Sequence, residues 1–252
     1  MNESLPSTST TLISTGLIAI ALALTHLFGG KLHLAKVPRN RWLSGAGGVS
    51  VAYVFVHILP ELNEHQTVLD ETQTGLISYL EHHVYLLALL GLSIFYGLER
   101  MASESRQNQE KVGKGDITTQ GVFWVHIASF AIYNALIGYL LMHREKPDIK
   151  NLLLYSLAMA LHFVVNDFGL RENHKHLYDR IGRWILASAV IVGWVIGSGT
   201  QIGEMAIAVL FAFLAGGIVL NVLKEELPEE RESRFWAFAL GAGIYSALLL
   251  AL

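Results

Sequence analysis

The chain has 252 residues, 52% of them hydrophobic and only 15% charged. A soluble domain of this length carries about a quarter charged residues, so composition excludes a soluble domain as the bulk of the chain. A net charge of −3 without a basic stripe offers nothing to nucleic acid, and the lack of cysteine excludes disulfides and thiolate metal sites.

The charges lie in clusters, and the apolar runs between them, about 18 to 24 residues long, can cross a hydrocarbon core of about 30 Å as helices. One such run could be a buried soluble helix. Eight in series could not, because no soluble core of this size would bury them all. In chain order they are Leu12 to Phe28, Leu43 to Leu59, Tyr79 to Leu98, Gly121 to Met142, Leu152 to Leu170, Trp184 to Ile196, Ile202 to Leu223 and Phe235 to Leu252, the sixth being the shortest. The expected fold is an all-α polytopic membrane protein with eight transmembrane helices in one membrane domain. Residues 1–98 hold spans one to three, 99–120 a linker, and 121–252 spans four to eight. Met1 to Thr11 lacks the Lys or Arg of a cleavable signal peptide, so the first run reads as a retained span. Glu99 to Gln120 is polar, mixed in charge and rich in Ser, Gln and Gly, and reads as flexible.

Lys and Arg set the expected orientation, since they accumulate on the cytoplasmic side of membrane proteins. Fifteen of the 18 lie in odd-numbered connections: Lys31, Lys36, Arg39 and Arg41; Arg100, Arg106, Lys111 and Lys114; Arg171, Lys175, Arg180 and Arg183; Lys224, Arg231 and Arg234. The other three, Arg144, Lys146 and Lys150, lie in the fourth connection. Odd-numbered connections therefore read as cytoplasmic and both termini as non-cytoplasmic, in a multi-pass protein of the plasma (inner) membrane.

The second span contains Ala46-Gly47-Gly48 and ends in Leu59-Pro60-Glu61. The seventh contains Ala215-Gly216-Gly217 and ends in Leu227-Pro228-Glu229. The two run in opposite senses, which is the pattern of an inverted repeat in secondary transporters. Coincidence plus ordinary glycine packing is the alternative.

Ionisable groups within spans are costly and mark functional positions. The fourth span carries His126, Tyr133 and Asn134, the fifth His162, Asn166 and Asp167. Counting inward from Met142 and Leu152 puts Asn134 level with His162, and His126 level with Asn166 and Asp167. Interhelical hydrogen bonding without a ligand is the competing explanation. At the outer rim, His57 and Glu61 share a helix face, followed by Glu64 and His65 and then Glu81, His82 and His83. His26 reads as a packing residue, and His174 and His176 as loop residues. Imidazole and carboxylate without thiolate suit zinc or iron.

At these residues the chain resembles the zinc–iron permease (ZIP) family of metal transporters. Ser156-Leu157-Ala158-Met159-Ala160-Leu161-His162 looks like the family's approach to its fifth-span histidine. Ala215-Gly216-Gly217 through Glu225-Glu226-Leu227-Pro228-Glu229 looks like its seventh span, and His57-Ile58-Leu59-Pro60-Glu61 like the end of its second. The resemblance implies eight spans around the fourth and fifth, a cytoplasmic linker after the third, and a metal site at Asn134 and His162, with Asn166 in the place of a stronger ligand. The sequence departs from the family at Tyr133-Asn134-Ala135-Leu136-Ile137-Gly138 and at His162-Phe163-Val164-Val165-Asn166, which lack the prolines and carboxylates of the metal motifs. His126 and Asp167 could supply a shifted site.

The function expected is transport of a divalent metal ion, zinc- or iron-like, between spans four and five. Candidate ligands are His162, Asn134, Asn166, Asp167 and His126, with His57 and Glu61 as an outer vestibule. The protein is not expected to be an enzyme or to carry a prosthetic group. Its partners are the bilayer and the metal substrate, with a homodimer as the candidate assembly. Two alternatives stand beside this: a divergent ZIP-like protein that no longer moves metal, and a membrane zinc hydrolase built on His126, His162 and Asp167. The charge asymmetry makes the topology testable: cysteines placed at Ser103 and Ser233 should react with an impermeant thiol reagent only from the cytoplasm, and one at Thr72 only from outside. Labelling of Ser103 from outside would overturn the span assignment.

Overall fold

A computed structural model describes residues 8–29, 39–70, 84–143, 149–225 and 234–251. Among these residues the chain is helical, without a strand. Its helices are α1 (Thr8–Phe28), α2 (Arg39–Tyr53), α3 (Leu59–Asp70), α4 (Val84–Lys111), α5 (Gln120–Leu140), α6 (Ile149–His174), α7 (Arg183–Gly199), α8 (Glu204–Glu225) and α9 (Phe235–Leu250). Seven segments are long and apolar enough to cross a membrane, α2 and α3 acting as one, and α9 is a shorter apolar helix. The large apolar side chains that face outward, among them Leu86, Leu89 and Leu90 on α4 and Val192, Val195 and Ile196 on α7, form a surface that lipid covers at no cost and water would not. Trp124, Trp184 and Trp236 are exposed near the helix ends that carry most of the Lys and Arg, as interfacial aromatics do. We call these ends the basic end.

Two boundaries differ by more than ten residues from the sequence reading. The second span does not stop at Leu59, because a π turn over Val54–Ile58 joins α2 to α3. A proline inside a helix lacks an N–H and crowds the carbonyl four residues back. The looser π turn makes room for Pro60, and the helix runs on. The segment read as a linker is helical as far as Lys111. From Glu99 onward it holds good helix formers and no Gly or Pro until Gly113. There Gly113, at φ 72°, ends the helix in a Schellman turn, with Gly113 N–H donating to Glu110 O and Lys114 N–H to Gln109 O. Thr119 then caps α5 by accepting from Val122 N–H.

The bundle is assembled through glycines. A methyl group added to Gly48 of α2 would overlap the Phe238 carbonyl of α9, and one on Gly241 of α9 would overlap the Gly45 carbonyl. The same reciprocal contact joins α8 to α4, where Gly216 lies on the Ala88 carbonyl and Gly91 on the Phe213 carbonyl. α2 with α9 and α8 with α4 thus pack through the same kind of reciprocal glycine-on-carbonyl contact. A third seam joins α5 to α7 through Gly138, Gly193 and Gly197. α6 packs chiefly against α1 and α2, and its buried residues include Met159, His162, Phe163, Asn166, Asp167 and Leu170.

Since backbone cannot yield as a side chain does, Gly48→Ala and Gly216→Ala should each cost about 1–3 kcal/mol by overpacking. Gly97 has open space around it, and Gly97→Ala should be neutral or stabilise by about 0.5–1 kcal/mol. Thermal unfolding in detergent measures all three, and equal tolerance would leave the glycine seams without a packing role.

Candidate functional site

Spans four and five (α5 and α6) place their polar residues in the interior as two groups. The first centres on His26 of α1. Its Nδ1 lies 2.7 Å from Asp167 Oδ1 and its Nε2 2.8 Å from Asn134 Oδ1. All three residues are buried, and the imidazole stacks on Phe163 with ring centroids 4.5 Å apart. The Asn134 amide nitrogen donates to Phe130 O at 2.7 Å, which turns Oδ1 toward His26. An amide oxygen only accepts, so His26 Nε2 must carry hydrogen. The Nδ1–Asp167 hydrogen bond needs a second proton, held by the imidazole or by the carboxyl. The triad therefore holds one shared proton and is neutral as a unit, the condition for burying a carboxyl in an apolar bundle.

Beside it, the Tyr133 hydroxyl meets His162 Nε2 at 3.0 Å. Two atoms here are buried and lack a hydrogen-bond partner, Asp167 Oδ2 and Asn166 Nδ2. The buried Tyr178 hydroxyl faces the Asp167 carboxyl closely enough to interact with it, though outside close hydrogen-bond geometry.

The second group lies nearer the basic end. His126 Nε2 bonds Glu99 Oε1 at 3.0 Å, His126 Nδ1 bonds His174 Nε2 at 2.9 Å, and His174 Nδ1 bonds Thr118 Oγ1 at 2.6 Å. Lys224 of α8 donates to the other oxygen of Glu99. Outside the spans, Arg106 grips Asp116 through two bonds of 2.8 Å, with Lys175 at 3.2 Å. Hydrogen bonding from Arg106 holds the Asp116 carboxyl down to about 2.

At the opposite end a pocket of about 130 Å³ is lined by His57, Glu61, Glu64, His65, His143 and Tyr155, with apolar side chains of α8. His57 Nε2 lies 3.4 Å from Glu61 Oε2. Glu81, His82 and His83 lie outside the described residues.

The sequence reading placed these residues inside and put Asn134 level with His162, which bonds the adjacent Tyr133, but it put His126 rather than Asn134 at the depth of Asp167. It took Met142 and Leu152 as level. Asn134 is six residues from the end of α5, whereas Asp167 is 18 from the start of α6. At 1.5 Å per residue the Tyr133–His162 contact and the His26-bridged Asn134–Asp167 pair offset the two helix ends by roughly 9 to 18 Å. Asp167 accordingly meets Asn134 through His26, and His126 meets His174. His126 is not near Asp167, and neither Arg171 nor Arg180 pairs with Asp167. Arg171 instead bonds Asp179 at 2.7 Å. His174 is no loop residue, because α6 continues past Leu170 and buries it. His26, read as packing, is the hub of the first group, and Glu99 and Lys224 went unrecognised. Glu99 carried a signal: it adjoins the apolar run of the third span, where a carboxylate needs a partner. No three His, Asp or Glu side chains among the described residues are arranged to hold a metal ion. Compared with known families and characterised proteins, the sequence matches none.

The triad makes a stability prediction. His26→Leu strands the buried Asp167 carboxyl and should cost about 3–5 kcal/mol. Asp167→Asn added to His26→Leu should recover a large part of it, because a neutral amide is cheaper to bury. Thermal unfolding of the single and double variants in detergent measures this, and additive losses would show that the pair is not coupled.

Proposed function

We propose that the protein transports a divalent metal cation, zinc- or iron-like, in the manner of the ZIP family, along the α5–α6 interface. The single observation that carries this reading is the set of buried polar side chains in the bundle interior, His162 with Tyr133, Asn166, and Asn134–His26–Asp167, in which the Asn166 amide nitrogen and Asp167 Oδ2, which faces the Tyr178 hydroxyl, lack a close hydrogen bond. Orphaned buried polar atoms are rare and call for an explanation. A passing cation supplies one for Asp167 Oδ2, since hard and borderline cations take carboxylate oxygen and imidazole nitrogen. In this proposal the pocket at His57, Glu61, Glu64 and His65 is the mouth on the outer side, and the basic end faces the cytoplasm. The similar glycine packing of α2–α9 and α4–α8 supports alternating access by fold analogy.

A second reading, a ZIP-like bundle that no longer moves metal, is favoured by one observation: Asp167 Oδ1 and both His26 nitrogens are already satisfied by each other and by Asn134. The hydrolase reading loses its support, because His126 stands with Glu99 and His174 rather than with His162 and Asp167.

Uptake of radioactive zinc and iron into proteoliposomes separates the two. The transport reading expects uptake by the full chain and at least an about tenfold loss, the effect of 1.4 kcal/mol, in Asp167→Asn and His162→Ala, both still monodisperse. No uptake by the parent chain, or uptake indifferent to Asp167→Asn, would defeat transport through this centre.

A further inference from the structure

We propose that the Thr118–His174–His126–Glu99 string is a proton-binding site, separate from the Asp167 centre, that stores one proton at the basic end of the bundle. Four segments build it: the connection before α5, then α6, α5 and α4, with Lys224 of α8 closing the far side. Thr118, His174, His126 and Glu99 are 4%, 2%, 0% and 7% exposed, so water does not compete for their bonds. Phe123 sets a ring edge-on to His174, and Phe130 does the same to His126.

Donor and acceptor roles follow from the chemistry of each group. With Glu99 as carboxylate, His126 Nε2–H donates to it. His174 Nε2–H then donates to His126 Nδ1, and the Thr118 hydroxyl donates to His174 Nδ1. Every link is made and both imidazoles are neutral. One added proton fits without breaking a link. It bonds to His174 Nδ1, which becomes the donor to a rotated Thr118 hydroxyl. The Nε2 proton of His174 passes to His126 Nδ1, and His126 becomes an imidazolium held by Glu99. One proton from water enters, no other bond is lost, and the reverse path releases it. All four imidazole nitrogens are engaged, so a metal would have to displace a side chain, whereas a proton only reverses the direction of the bonds. The other charges nearby are Lys224 on Glu99 and Arg106, which acts on His174. Arg106 is itself neutralised by Asp116 and Glu172, and Lys175 by Asp116.

The test does not depend on transport. The full chain, labelled with nitrogen-15 at histidine, is placed in lipid nanodiscs. Solid-state NMR then follows the imidazole signals across roughly pH 5 to 9, where histidine charge ordinarily changes, with His126→Gln and His174→Gln assigning them. The proposal expects His126 and His174 to change together at one midpoint. Glu99→Gln should lower that midpoint by about one pH unit or more, the size of a single charge interaction, and Asp167→Asn should leave it in place. Because Glu99→Gln strands Lys224, Glu99→Gln with Lys224→Gln is measured alongside and should show the same loss. Separate midpoints, no change across the range, or a midpoint unmoved in both Glu99 variants would overturn the proposal.

Discussion

A carboxyl group in the middle of an apolar bundle must be neutralised where it stands, and this constraint organises the interior. Asp167 is neutralised by His26, and His26 is positioned by Asn134 and Phe163. α1 is thereby fixed to α5 and α6 by a contact that side-chain packing alone would not supply. The same demand recurs one layer away, where Glu99 answers to His126 and Lys224. Lys224 is 42% exposed, so its stem lies along apolar surface while its charge stays partly wet. The two layers use the same chemistry at different depths. Both are buried, and the second lies nearer the charged connection at Asp116.

Glycine supplies the other half of the architecture. Lipid exerts no hydrophobic pressure between helices, so close backbone contact takes over that role. Two of the three seams fall on the tripeptides Ala46-Gly47-Gly48 and Ala215-Gly216-Gly217. Gly217 has a further task, lying against the rings of Phe95 and Tyr133. Those rings line the side of the bundle that holds His162. The packing of α8 and the placement of the buried polar residues are thus linked through one small residue.

Most of the fold was legible because it follows from solvent. Apolar length, clustered charge and the Gly tripeptides each carry their structural meaning in local sequence. The helix ends were less legible. Pro60 looked like a terminus, because nothing in the local sequence announces the π turn that accommodates it. The candidate residues of α5 and α6 were legible for the same reason as the spans, being polar where water is absent. Their partners were not. Pairing depends on how far one helix slides past its neighbour, and a connection such as 144–148 does not encode that stagger. His26 was invisible for a related reason: one histidine on an otherwise apolar helix is indistinguishable from packing until its neighbour at the same depth is known.

The glycine seams also bear on how the molecule deforms. Where backbone rests on backbone no rotamer can give way, so α2 with α9, and α4 with α8, behave as stiff two-helix beams rather than four independent rods. Thermal bending collects in softer joints, and the looser π turns at Val54–Ile58 and Tyr178–Gly182 are such joints. One adjoins the pocket at His57 and the other the hydroxyl that faces Asp167. Flexural compliance is thus concentrated beside the rim pocket and beside the buried Asp167 centre.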